Sequence, residues 1–202
     1  MLRTFYEPGL RWIQLTWNVR TELGDGIAET NACGLSNAGK KIVKKMNNLG
    51  MIIDLAHVSP NSFKDALEIS DASVIVSHAN CKEICNNPRN VTDKQIEKIA
   101  ENGGIIGLCA SPRFLSESGN ATIKDVLSHM NHLKDLVGID HIGLGPDFIE
   151  CLGKVTTYPK ELKNATKIPN FIDLMFKEGY RKNDIRKISR ENFPRVFKKV
   201  SS

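Results

Sequence analysis

Five short apolar runs, separated by segments with helical spacing, are the feature that most constrains the fold of this 202-residue chain. Buried parallel strands are near-continuous apolar runs, and the helices that alternate with them pack on the faces of the sheet. The pattern therefore predicts one α/β domain over residues 1–202 with about five parallel strands. The predicted strands are 10–17, 51–57, 73–78, 104–109 and 141–146.

Local end signals predict the helices between these runs. Ser36, Ser59 and Thr92 each precede a helical segment as N-cap residues. A last helical stretch over 168–199 is expected to break at Asn192-Phe-Pro194, because proline disrupts a helix interior. The other predicted helices are about 37–49, from 60 to about 69, from 93 to a stop at Gly103-Gly104, and 122–137.

Two architectures fit this order of elements: an open doubly wound sheet, or five consecutive strands of an eight-stranded barrel. In both, the carboxyl ends of the strands open on one side, where sites form. Three runs end there in His57, His78 and Asp147. Neutral imidazole and carboxylate are the ligands of catalytic zinc, and a nearby carboxylate can transfer protons to or from metal-bound water. We therefore expect a metal-dependent hydrolase site.

A loop arginine adds a candidate for substrate binding. Arg89 lies between the run that ends in His78 and the next predicted helix, where a guanidinium can hold a carboxylate through two parallel hydrogen bonds. The alternative on spacing alone is a surface ion pair with Asp93. Asp25, in the polar loop after the first run, is expected at the rim of the pocket.

Other titratable residues are predicted to have structural or peripheral roles. Asp54 lies three residues before His57 and is expected to face the other side as a buried structural carboxylate. His129 and His132 are predicted on the exposed face of their helix. His141 begins a strand at the end opposite the site and is predicted to be structural.

Charge, hydropathy and cysteine content argue against several functional classes. The net charge is +5, but the basic residues are dispersed, so no nucleic-acid partner is expected. No apolar stretch reaches the roughly 18 residues of a membrane span, and the N-terminus has no apolar leader, so no membrane association is expected. Five cysteines, an odd number without a framework spacing, favour free thiols, including Cys81 and Cys85, and a cytoplasmic location.

A series of motifs follows in order along nearly the whole chain. They are 9–18 (Gly-Leu-Arg-Trp-Ile-Gln-Leu-Thr-Trp-Asn), 34–40, 46–59, 74–80 (Val-Ile-Val-Ser-His-Ala-Asn), 87–93 (Asn-Pro-Arg-Asn-Val-Thr-Asp), 101–107 and 137–148. In this series the chain resembles the membrane dipeptidase family (renal dipeptidase-like, peptidase family M19).

The resemblance implies a (β/α)8 TIM barrel with two zinc ions at its carboxyl-terminal face that hydrolyses dipeptides by metal-activated water. By this resemblance His57 and His78 would bind the second zinc. Arg89 would hold the terminal carboxylate of the dipeptide. Asp147 would take a proton from the bridging water and pass it to the leaving amine.

The chain departs from the family pattern in three places. Family members begin with a His-x-Asp strand that binds the first zinc, and a later glutamate bridges both metals; neither is present here. The expected fold is thus an N-terminally incomplete barrel of about five strands with at most one metal half-site. The family's Asp-Phe-Asp-Gly reads Asp147-Phe-Ile-Glu150. Exposed sheet edges would favour a homodimer or a complementing N-terminal segment.

The predicted function is a zinc-dependent dipeptidase. Two alternatives stay open: a catalytically incomplete remnant that acts as a binding or interaction protein, and another metal-dependent barrel hydrolase. The Asn-Pro-Arg89-Asn loop, suited to a carboxylate, favours a dipeptide as substrate.

Overall fold

Five parallel strands form a single sheet in the computed structural model, which describes residues 2–149 and 158–201. The strands lie in the order β1-β2-β3-β4-β5, and each pairs in parallel with the next. A doubly wound sheet reverses its strand order at a switch point, and this sheet does not. The sheet therefore has the topology of consecutive barrel strands, and the predicted α/β class is confirmed. The strands are β1 (Trp12–Gln14), β2 (Ile52–Asp54), β3 (Ile75–Ala79), β4 (Ile105–Leu108) and β5 (Ile142–Leu144).

Helices connect successive strands, and the three predicted caps have the expected geometry. Ser36 and Ser59 each accept a hydrogen bond from the backbone N–H three residues on, and Thr92 forms a capping box with Gln95. The α-helices are α1 (Leu2–Tyr6), α2 (Asn37–Asn48), α3 (Pro60–Ile69), α4 (Asp93–Glu101), α5 (Pro112–Leu115), α6 (Ile123–Val137), α7 (Ile168–Lys177), α8 (Lys182–Arg186) and α9 (Asn192–Ser201). Short 3-10 turns span Ile139–His141, Lys160–Leu162 and Ala165–Lys167.

The predicted break of the last helical stretch at Asn192-Phe-Pro194 is wrong. The chain instead turns at Gly179, whose φ of 84° is the left-handed conformation that ends helices. A π-helical turn over Lys187–Glu191 then runs into α9. Pro194 is the third residue of α9, which begins directly after this π-helical turn.

The two faces of the sheet bury different sets of apolar side chains. One face packs in the main core beneath the connecting helices, with Ile53, Val76 and Ile106 among its members. The opposite face carries the first residues of β2, β3 and β4, which pack against Val196 and Val200 of α9. Because α9 covers the amino ends of the strands on this face, the carboxyl ends are left for a site. Within the described residues no helix is both long and apolar enough to cross a membrane.

Candidate functional site

The carboxyl ends of β2 and β3 bring the two predicted histidine ligands together. His57 follows β2, and His78 is the fourth residue of β3. Their Nε2 atoms lie 2.8 Å apart. The convergence of His57 and His78 is therefore present in the structure.

Two of the predicted site residues have an unusual backbone conformation. In the described part of the chain, His57 (φ 68°) and Asp147 (φ 56°) are the two non-glycine residues with positive φ. Such conformations cost of order 1–3 kcal/mol and cluster at functional sites. The His57 carbonyl is held by the Ile27 N–H at 2.7 Å and by the Thr16 hydroxyl at 3.5 Å.

Hydrogen bonds on the far side of each imidazole orient the two rings. His57 Nδ1 lies 2.7 Å from Asn18 Oδ1, so Nδ1–H donates and the Nε2 lone pair faces His78. His78 Nδ1 lies 2.8 Å from the Ser77 hydroxyl, which can either donate or accept. Asn18 is a partner that the sequence reasoning missed, although it ends the first family motif.

The electrostatics of the site favour neutral imidazoles. Burial lowers the pKa of His57 to about 3, and the positive charges of Arg89 and His78 act in the same direction. Burial also lowers the pKa of His78, against the opposing effect of the Asp147 carboxylate. Neutral imidazole is the form that binds metal ions.

Arg89 lies beside this pair with its guanidinium largely enclosed. Its Nη2 reaches the His78 carbonyl at 3.5 Å, its guanidinium stacks over the Phe114 ring at 5.5 Å, and its buried Nε has no hydrogen-bond partner. The alternative pairing with Asp93 is wrong, because Asp93 instead contacts His132 Nε2 at 2.7 Å. No ion pair to Arg89 is present among the described residues, so its charge is available to an anion.

Asp147 completes the set at the end of β5. Its carbonyl accepts a hydrogen bond from the Tyr158 hydroxyl, which in turn accepts the Ile149 N–H at 2.9 Å. Its carboxylate charge acts on the pKa values of His78 and Arg89. Tyr158 is a second residue that sequence reasoning missed. The altered loop position Glu150 lies outside the described residues.

Two further predictions about carboxylates have different outcomes. Asp54 is buried, as predicted, and its oxygens accept hydrogen bonds from Trp12 Nε1 and from the backbone N–H groups of Ala56 and Ser77. Asp25 was predicted at the rim of the pocket, which is wrong. It is 2% exposed, forms an ion pair with Arg20 and accepts backbone N–H groups, so it braces its own loop.

The predicted exposure of His129 is wrong, because this residue has no solvent-accessible surface. Its Nδ1 accepts the Cys81 N–H at 3.1 Å, and its Nε2 lies 3.1 Å from the Leu115 carbonyl. His129 is three residues after Val126 and four before Leu133, so the spacing of the apolar stripe already placed it on the buried face of α6.

Several peripheral predictions are confirmed. His141 Nδ1 lies 2.8 Å from the Gly104 carbonyl, away from the site. Cys81 and Cys85 are free and buried, and burial raises the pKa of Cys81 to about 12. Cys151 lies outside the described residues.

Within residues 2–149 and 158–201, His57 and His78 form a pair of potential metal ligands. This part of the chain contains no group of three or more histidine, cysteine, aspartate or glutamate side chains placed to hold one ion. The site thus offers two imidazole nitrogens, a carboxylate and an unpaired guanidinium on one side of the sheet.

Known proteins match this chain in both sequence and fold. The family model for membrane dipeptidases (peptidase family M19) matches residues 1–202. Mouse Dipeptidase 3 is 32% identical over 99% of this chain and 41% of its own length. An uncharacterized dipeptidase of Schizosaccharomyces pombe is 35% identical over 98% of this chain and 48% of its own length. The chain therefore spans less than half the length of these curated relatives.

A solved structure extends the comparison to three dimensions. A metallo peptidase from Rhodobacter sphaeroides, liganded with a phosphinate mimic of the dipeptide L-Ala-D-Ala, superposes with a TM-score of 0.90 at 31% identity. The match covers 98% of this chain and 58% of that one. Together with the full-length family match, this shows that the chain belongs to the membrane dipeptidase family, peptidase family M19.

Proposed function

We propose that this chain provides one metal half-site and the carboxylate-binding arginine of a zinc-dependent dipeptidase. The observation that carries the proposal is the convergence of His57, His78 and unpaired Arg89 at the carboxyl end of the sheet. The dipeptide mimic bound by the Rhodobacter sphaeroides relative supports a dipeptide as substrate.

The histidine pair has the donor chemistry of a zinc site. Burial lowers the pKa of both imidazoles, which favours the neutral form that binds zinc. Their Nε2 atoms lie 2.8 Å apart, whereas two ligands on a tetrahedral zinc would lie about 3.4 Å apart. A small rotation of either ring would close that difference. Catalytic zinc takes three protein ligands, so further donors would have to join His57 and His78 from outside the described residues.

The chain's own residues would position the substrate and transfer the proton. Bound zinc would supply a hydroxide near neutral pH and polarise the scissile carbonyl. Arg89 would bind the terminal carboxylate of the dipeptide through its guanidinium, fixing which peptide bond faces the histidines. The Asp147 carboxylate would accept a proton on one oxygen and deliver it to the leaving amine.

We also propose that a second polypeptide segment pairs with the free edge of β1. This strand has one neighbour among the described residues, β2. The side chains of Trp12, Trp17 and Val19 around it are 43%, 64% and 55% exposed. An unpaired edge with apolar surroundings favours strand addition, either from a second copy or from a complementing N-terminal segment that carries the missing ligands.

Zinc content per chain tests the half-site. After zinc loading and desalting, elemental analysis should find about one zinc per chain, and the double variant His57→Ala/His78→Ala should lose it. His132→Ala is the matched control, since it removes an imidazole outside the site. Equal zinc in the double variant and in this control would contradict the proposal and favour the remnant alternative.

Substrate analogues test the role of Arg89 once hydrolysis is measured with the complementing segment present. Arg89→Ala should raise KM for free-carboxylate dipeptides by about 10- to 100-fold, because a charge-assisted hydrogen bond contributes about 1.5–3 kcal/mol. The C-terminally amidated dipeptides should change far less. An equal loss for both substrates would exclude carboxylate binding by Arg89.

A further inference from the structure

A groove of about 1020 Å³ lies between α3 and α4. It begins beside His57 and Arg89 at the carboxyl end of the strands and continues to Glu68 and Asn102 at the far ends of the two helices. α3 packs on α2 and α4 packs on α6, and the groove separates the two pairs. Its volume is at the upper end of the range of small-molecule sites, about 300–1,000 Å³.

The floor of this groove is apolar along its length. Val76 of β3 points outward between the two helices, and Leu67 of α3 is a half-buried wall residue. The other floor residues include Leu55, Val58, Phe63 and Val91. α3 lines the groove from Pro60 to Glu68, about 12 Å at 1.5 Å per residue, which matches an extended chain of about ten carbons.

The charge along the groove is asymmetric. At the end near Arg89, Lys82 and Lys94 have no ion-pair partner in the described part of the chain. The lysines farther along are paired on their own helices: Lys64 lies 3.8 Å from Glu68, and Lys98 lies 2.6 Å from Glu101. The first turn of α4 adds the partial positive charge of a helix N-terminus at the same end of the groove, near Arg89. The groove therefore combines a cationic mouth with an apolar body.

We propose that the groove binds a fatty carboxylate of medium chain length. Its carboxylate would lie between Lys82 and Lys94, and its alkyl chain would extend along Val76 and Leu67. The cationic mouth favours an anionic head, and the apolar floor excludes a ligand that is polar along its length. The groove adjoins the proposed dipeptidase site, since His57 and Arg89 line its near end. The residues proposed to hold the fatty carboxylate, Lys82, Lys94, Val76 and Leu67, have no role in the dipeptidase chemistry.

The test uses 11-(dansylamino)undecanoic acid as a fluorescent probe in titrations with the whole chain. Saturable binding is expected, and decanoate should displace the probe more strongly than decanol. Lys82→Gln/Lys94→Gln should weaken displacement by decanoate by about tenfold, while decanol displacement stays unchanged. Lys45→Gln on α2 is the matched control and should change neither.

A second variant tests the apolar body of the groove. Leu67→Trp should fill the groove and weaken both decanoate and decanol, with circular dichroism as the check that the fold is retained. Absence of saturable probe binding would overturn the proposal. So would equal affinities in the wild type, the double lysine variant and Leu67→Trp, because binding would then occur elsewhere.

Discussion

The buried imidazole of His129 makes the stability of this fold depend on pH. Its neutral form satisfies both neighbours, since Nδ1 accepts the Cys81 N–H and Nε2–H donates to the Leu115 carbonyl. A second ring proton would point at the Cys81 N–H, and burial further opposes the charge. The pKa of His129 is accordingly lowered from 6.5 to about 4.

The sign and size of the effect follow from proton linkage. Between pH 6.5 and the folded-state pKa, His129 is protonated in the unfolded chain but neutral in the folded chain. The free energy of unfolding therefore falls as the pH falls through this range. The expected loss from this residue is about 2 kcal/mol between pH 7 and pH 5, and about 3 kcal/mol by pH 4. The contribution changes little below the folded-state pKa.

The perturbation is His129→Gln, assayed by urea unfolding with circular dichroism at pH 7 and pH 5. The variant keeps a donor for the Leu115 carbonyl but does not titrate. Between pH 7 and pH 5 its free energy of unfolding should therefore fall by about 2 kcal/mol less than that of the wild type. His57 titrates with the same sign but is present in both proteins, so the difference isolates His129. An identical loss in the two proteins would refute the reasoning.

Three more predictions concern the site and its supporting strands. Asn18→Ala should weaken zinc binding by about 10- to 100-fold, because the His57 imidazole would lose the partner that orients it. Competition with a chromophoric chelator measures this affinity. Asn18→Asp, which keeps an acceptor oxygen, should retain most of the zinc affinity. Gly107→Ala should reduce the free energy of unfolding in urea by about 1–3 kcal/mol, since its Cβ would lie 2.0 Å from a backbone oxygen of β3. Gly143→Ala is the control, because its Cβ would have its nearest contact at 3.4 Å. Exposed Cys33 should react with a thiol reagent in the native protein, whereas buried Cys81 should react only after unfolding, and equal rates would contradict the packing.

Strand and helix assignments followed from local physics, because caps and apolar runs act over a few residues. Ser36, Ser59 and Thr92 cap their helices as predicted, since each bond joins residues three apart. The predicted helix break near Pro194 was wrong because of a tertiary contact. α9 packs as a continuous helix against the first residues of β2, β3 and β4, and the sequence pattern of the last stretch does not contain that contact.

For the site, too, the sequence predicted some features and the tertiary structure decided others. Residue order alone determined that His57, His78 and Asp147 end parallel strands on one side of a sheet, because every strand in such a fold runs the same way. Only the tertiary structure decided between a doubly wound sheet and consecutive barrel strands, and only it revealed that Asn18 and Tyr158 hold the site and that His129 is buried. These outcomes depend on contacts between residues 11 to 48 positions apart, which local patterns do not encode.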